Sequence, residues 1–348
     1  MKIKRLLAVV LTAVMLLTLF AGCGQAKPVE STSPSPSGDA QTTPQGSGDG
    51  EKKRFVIGVD LFYKSDEYYL DIETCMRLKA EELGVDLVIQ NADTNLATQV
   101  QQVEDFITKK VDAILISAVD PVGSYACVEA ANAANIPIFM FDGVTENKEG
   151  IVAHTMGDFV KEGEKAGEWA KKYIEENMGG KASYAVLDYF PSAIICGGRT
   201  QGFMSVLDKM DGVSRVAHQD GKATREGGMS VMEDILTANN NKVDVVFAIN
   251  YESGAGAAAA IEAAGADTKV VCVSWNAEGF EKLENKDKYM QAYLLAAIPT
   301  DIASMIDVII DHLSGKTVEK EVFMDSLIVD QKTIKDLDWR SIVEARDN

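Results

Sequence analysis

An α/β protein of two doubly wound parallel sheets is the fold class this sequence predicts, and three observations carry the prediction. From Phe55 onward short apolar runs alternate with helix-length segments of amphipathic period; the alternation occurs as two successive series; and 348 residues with 46% apolar content suffice for two cores of ordinary domain size. In the first series strands are expected at 55–61, 86–90, 113–117 and 136–141. Between the second and third of these, Val100, Val103, Phe106 and Ile107 fall on one face of a helix spanning 98–110, a stripe that packs on a sheet. The second series places strands at 182–187, 213–219, 243–249 and 270–274. Stretches at 290–295 and 322–329 follow, and each is expected to add a strand to one of the sheets, so that the chain crosses between lobes more than once.

The chain ahead of Phe55 reads differently. Lys2, Lys4 and Arg5 precede an apolar run from Leu6 to Ala21 that ends at Gly22-Cys23, the pattern of an export signal. The run is short for a hydrocarbon core about 30 Å thick. Phe20-Ala21-Gly22-Cys23 resembles a bacterial lipobox, which implies cleavage after residue 22, acylation of Cys23 and a protein tethered outside the cytoplasmic membrane by lipid alone. Residues 23–54 are rich in Ser, Thr, Pro, Gly and Gln with almost nothing apolar to bury, and read as a flexible linker.

Charge and cysteines narrow the function. The net charge of −19 becomes −22 once the three basic residues of the signal are removed, which argues against nucleic-acid partners and favours a soluble surface. Cys75, Cys127, Cys196 and Cys272 show neither CxxC spacing nor neighbouring histidines, so metal and redox chemistry have no support; burial as small apolar residues is the simpler reading, and spacing alone cannot select a disulfide.

Motifs that could carry catalysis fail on inspection. Gly254, Gly256 and Ala259 spell G-x-G-x-x-A, but the strand ends four residues too early and no acidic residue follows at the ribose-binding distance; the small residues of 254–260 are better explained by close packing of a helix. Gly315-Lys316-Thr317 lacks the first P-loop glycine, its position being Ile310; Gly315 instead suits a left-handed cap after the apolar helix 302–313. His154, His218 and His312 are widely separated and belong to no catalytic pattern. The chain reads as a binding protein, with no enzyme activity and no cofactor.

The informative residues are polar and aromatic groups just after predicted strands, where open α/β sheets bind ligands. In the first lobe these are Phe62, Tyr63, Asp66, Tyr68, Tyr69, Ser117, Asp120, Asp142 and Gly143; in the second, Tyr189, Phe190, Asn250, Tyr251, Glu252, Trp275 and Asn276. Tyr68 and Tyr69 are adjacent on a helix, so one is expected to line the cleft and the other its rim. Carboxylates, amides and flat rings complement the O–H donors and C–H faces of a sugar. The same set also describes a cage for a purine-like or cationic solute.

With these residues in view, the chain from Phe55 to about Val329 resembles the periplasmic sugar-binding proteins of the ribose-binding type. The likeness rests on Ile136-Pro137-Ile138 before Phe141-Asp142, His154 to Asp158 with Gly163 and Ala166-Gly167, Arg199 before Gly202-Phe203, and Asn250 before a Gly- and Ala-rich helix. It implies the type I periplasmic binding protein fold: a first lobe of 55–157 and 298–326, a second of 158–297 and 327–348, and a three-strand hinge. It further implies a monomeric receptor that closes on a small solute and presents it to the permease of an ABC importer, or to a chemoreceptor or histidine kinase in a sensing role. Phe62, Tyr63, Asp66, Tyr68, Tyr69, Ser117, Asp142, Arg199, Asn250, Tyr251, Trp275 and Asn276 are the expected ligand-binding set. Gly143 and Gly197 stand where the family usually supplies arginines and Ala297 where it has a hinge glutamine, which argues against ribose itself.

Overall fold

The structure, a computed structural model, describes residues 54–64, 67–190, 192 and 195–348. The export signal, Cys23, nearly all of the linker and Asp66 lie outside the described residues.

The first sheet is built from β1 (Val56–Leu61), β2 (Asp86–Asn91), β3 (Ala113–Ile116), β4 (Ile138–Met140) and β5 (His154–Met156), joined by helices α1 (Glu67–Leu83), α2 (Leu96–Lys109) and α3 (Tyr125–Ala133). The chain then crosses to a second sheet. There α4 (Phe159–Met178), β6 (Ala182–Asp188), α5 (Ile195–Leu207), β7 (Val213–Asp220), α6 (Arg225–Ala238), β8 (Val245–Ala248), α7 (Tyr251–Ala263), β9 (Lys269–Val273), α8 (Ala277–Glu284) and β10 (Met290–Leu295) alternate in order. It returns through α9 (Pro299–Ala303) and α10 (Met305–Leu313) to β11 (Glu321–Phe323), crosses a third time to β12 (Leu327–Asp330), and ends in α11 (Arg340–Asp347).

Strand order is β11-β5-β4-β3-β1-β2 in one sheet and β12-β10-β9-β8-β6-β7 in the other. All pairings are parallel except β10 with β12. The stretch 322–329, expected to form one strand, is therefore two short ones in different sheets. Met324 to Ser326 carry the chain between the lobes, so no single sheet can hold both ends.

Strand alternation decides which side chain meets which helix layer. Ile57, Val59 and Leu61 of β1 face the layer containing α1, α9 and α10. Gly58 faces the opposite side, where an added Cβ would lie 2.6 Å from the Phe106 ring of α2. Asp60, two residues on, shares that opposite side and is fully buried in a central strand.

Helices α4 and α5 pack backbone to backbone. A Cβ on Gly163 would come within 1.9 Å of the Arg199 carbonyl oxygen, and one on Gly202 within 2.0 Å of the Val160 carbonyl oxygen. Gly202→Ala should therefore lower stability by about 1–3 kcal/mol, because rigid backbone must move to admit a methyl group. Urea titration checks this, and an unchanged midpoint would show that the helices tolerate separation. The small residues of α7 act similarly: Gly254 lies against Cys272 of β9, and Gly256 against the Arg225 carbonyl of α6. Gly315 has φ +83°, the left-handed cap expected after α10.

Candidate functional site

The carboxyl-terminal ends of the strands in each sheet carry the groups that face the other lobe. In the first lobe the wall is aromatic and acidic. Phe62 stacks on Tyr69 with ring centroids 5.8 Å apart, and Tyr68 meets Tyr69 edge-on at 5.5 Å. The Tyr69 hydroxyl donates to an Asp142 carboxyl oxygen. Of the adjacent tyrosines, Tyr69 is the buried one and Tyr68 is half-buried. Tyr63 is exposed at the rim.

Asp142 is held from both sides. Its backbone is left-handed at φ +55°, a conformation that Asp adopts more readily than most residues, and its amide donates to the Thr155 hydroxyl at 2.9 Å. The next amide, of Gly143, donates to the Ser117 hydroxyl at 3.2 Å. Ser117 is buried behind the Tyr69–Asp142 pair and serves as a support. Gly143 has no room for a side chain, since a Cβ would sit 2.5 Å from the Ala118 carbonyl oxygen, whereas Gly197 faces open space. The missing arginines thus have different causes: one place is closed by backbone, the other is vacant.

Asp142 keeps solvent contact, yet desolvation of its carboxyl raises its pKa above the ordinary carboxylate value. The Tyr69 hydroxyl and the charge of Arg199, which belongs to the other lobe, counter that rise. Burial likewise pushes the Tyr69 hydroxyl well above its usual range, so it remains a donor.

In the second lobe Arg199 donates to Glu162 at 2.7 Å and lies over the Phe159 ring at 5.4 Å. It is a structural ion pair whose field reaches Asp142. Asn250 and Asn276 are helix N-caps. The Asn250 Oδ1 accepts from the Ser253 amide at 2.9 Å while its Nδ2 donates to the Ala223 carbonyl at 2.7 Å, and the Asn276 Oδ1 accepts from the Gly279 amide at 3.0 Å. Their carbonyl oxygens are therefore occupied, which leaves amide N–H groups as what either can offer a guest. Tyr251 is 5% exposed, edge-on to Tyr293 at 6.1 Å and in contact distance of Gly279.

Trp275 spans the two lobes. Only 8% exposed, it donates its indole N–H to Asp71 of α1 at 2.7 Å, and two residues on the Ala277 amide donates to Glu67 at 3.0 Å. Arg346 of α11 reaches the same two carboxylates. Asp71, Glu67 and Arg346 were absent from the expected site. A carboxylate on the first turns of α1 is an ordinary solvated helix end in sequence, and its partners lie more than 200 residues away. Burial raises the Asp71 carboxyl from its usual value, against the opposing pull of Trp275 and Arg346.

Two surface cavities lie away from this cleft. One of 570 Å³ lies along α4 and α5 and is lined largely by Glu, Lys and Asp side chains; the other, of 360 Å³, lies between α1 and α11. Among the described residues no group of three or more His, Cys, Asp or Glu is arranged to hold a metal ion, and no helix is long and apolar enough to cross a membrane.

Residues 57–317 match the family model described as a periplasmic binding protein domain. The chain is similar to the ribose import binding protein RbsB of Bacillus subtilis, with 28% identity over 79% of this chain and 87% of that protein. Among solved structures it is similar to a solute-binding protein of an ABC transporter from Actinobacillus succinogenes with bound D-allose, at TM-score 0.74 and 24% identity over 82% of this chain and all of that one. A Mycobacterium smegmatis protein in complex with β-D-fucofuranose is similar at TM-score 0.71 and 27% identity, over 84% of this chain and 98% of that one.

Proposed function

Since this chain belongs to the periplasmic binding protein domain family, we propose that it is the solute receptor of an ABC importer and closes its two lobes on a monosaccharide or polyol. The observation that carries the reading is the Tyr69–Asp142 wall, a carboxylate fixed at the cleft by a buried tyrosine and faced by the other lobe. Such a carboxylate accepts from sugar hydroxyls, and each charge-assisted bond contributes about 1.5–3 kcal/mol where water is excluded. Phe62, Tyr68 and Trp275 supply ring faces for C–H contact. The amides of Asn250 and Asn276 supply donors from the second lobe, and Asp66, outside the described residues, follows the same strand end as Tyr63.

The lobes in this reading are 55–157 with 298–326, and 158–297 with 327–348, hinged where the chain crosses between sheets. Cys23 carries a lipid that holds the monomeric receptor outside the cytoplasmic membrane, beside the permease it supplies. An enzyme is not required by any of these groups.

A thermal-shift panel of pentoses, hexoses, inositols, nucleosides and quaternary amines tests the solute class. Binding to the folded state alone adds about 2.7 kcal/mol of stability at one hundred times Kd, so a sugar or polyol should raise the melting temperature visibly. A shift with nucleosides or amines alone would replace the carbohydrate assignment by that of a cation or purine cage.

A further inference from the structure

Helix α11 bridges the lobes: its body packs on α1 of the first, while its start is anchored in the second. Trp339, just ahead of it, lies 5.4 Å ring to ring from Phe280 of α8, its indole N–H donates to Glu284 at 3.3 Å, and Arg340 lies over the Trp339 ring at 4.2 Å. The last turn of α11 nevertheless meets the first lobe: Arg346 donates to Glu67 at 2.8 Å and to Asp71 at 3.2 Å. These are the carboxylates that already receive the Trp275 indole from the loop after β9 and the Ala277 amide from the start of α8. The β9–α8 connection and the bridging helix α11 thus converge on one turn of α1.

We infer that Glu67, Asp71, Trp275 and Arg346 form a clasp between the lobes, and that Arg346 is a positioning residue whose charge sets how tightly the closed form holds its solute. The inference rests on the reading that the protein closes on a solute.

Charge and burial give the clasp its direction. Glu67 and Asp71 stand four residues apart on one helix face, where like charges repel. Asp71 is 1% exposed in the clasped arrangement, so its charge needs a partner there. When the lobes part, water covers both carboxylates and the need lapses. The stabilisation from Arg346 therefore falls on the closed state, and its loss shifts the closing equilibrium toward the open form and lowers the apparent affinity. Arg346 sits behind the carboxylates, whereas Trp275 also presents a ring; Trp275→Phe keeps a ring and removes the N–H donor.

The test compares wild type, Arg346→Ala, Arg346→Lys and Trp275→Phe. Small-angle scattering of the unliganded proteins reads lobe separation. Titration with D-ribose, D-allose, L-arabinose, D-fructose and myo-inositol reads affinity for whichever of these stabilises the wild type. Arg346→Ala and Trp275→Phe should each weaken binding roughly tenfold, through faster dissociation at little-changed association rate, and Arg346→Lys should recover part of the loss. The unliganded Ala variant should scatter as a more open particle and melt within a few degrees of wild type. Wild-type affinity and dissociation rate in both variants would overturn the clasp while leaving the receptor intact. If no probe binds even the wild type, the sugar reading fails separately, and the clasp is then decided by scattering: identical profiles for wild type and variants overturn it.

Discussion

Replacing Asp60 by asparagine is expected to raise the melting temperature at pH 8 and to remove a fall in stability that the wild type shows between pH 4 and pH 7. The cause is local. Asp60 is fully buried beside α2 and α3, and neither carboxyl oxygen has a hydrogen-bond partner within bonding distance, although Gln99 and the Ala92 backbone lie near. Desolvation pushes its pKa from 3.8 up to about 7, with Gln99 and the Ala92 backbone pulling the other way. An acid raised in this way is held protonated by the folded chain. Its contribution to stability is present below the unfolded value of 3.8, declines as pH rises, and is lost above about 7. At 1.36 kcal/mol per pH unit the penalty at pH 8 amounts to about 4 kcal/mol, an upper bound for the asparagine variant because its amide N–H groups also need partners. That is a large fraction of the stability of an ordinary protein. Melting curves of both proteins from pH 4 to pH 8 decide the matter: a gap that widens with pH supports the buried acid, and parallel curves refute it.

Asp60 also marks where sequence stops informing structure. A lone Asp inside an apolar strand announces a polar group in a costly place, but its face follows only when Gly58 is seen against Phe106. Other parts were open to reading. The two series of strands, the α2 stripe and the left-handed Gly315 all follow from period and cap chemistry, since each is decided within one turn or one strand. The phase of α1 was legible too: Tyr69, Ile72, Met76 and Ala80 recur at helical spacing, and that places Tyr69 inward and Tyr68 toward the rim. The capping roles of Asn250 and Asn276 had a signal as well, an Asn immediately before a helix. What no local pattern could give is pairing at long range. Trp275 with Asp71, Arg346 with Glu67, and Arg199 with Asp142 each join residues brought together only by the crossing of the chain between lobes. The direction of Tyr251 was hidden for a related reason, because a ring after a strand can turn into its own lobe or toward the other, and residue type is the same in both cases.

Truncation of Asp142 to alanine should cost the receptor two orders of magnitude in affinity for its solute, the larger functional effect of any single change considered. Two terms combine. A guest hydroxyl loses a charged acceptor, at about 1.5–3 kcal/mol per bond, and the buried Tyr69 hydroxyl loses its partner in the same step. Asp142→Asn separates them. The amide oxygen still accepts from Tyr69, so the wall keeps its shape while the charge is gone, and the loss should be nearer tenfold. Acid should act in the same direction on the wild type. The Asp142 carboxyl is raised by desolvation, so lowering pH protonates it sooner than an ordinary aspartate and removes an acceptor from the cleft; affinity should be lower at an acid pH than at neutral pH. In Asp142→Asn this site no longer titrates, so the part of the pH dependence that belongs to it should vanish. Isothermal titration of the three proteins at both pH values supplies the comparison. If Asp142→Ala binds as the wild type does, the carboxylate is a prop for Tyr69 and the solute is recognised by the rings and the second lobe instead.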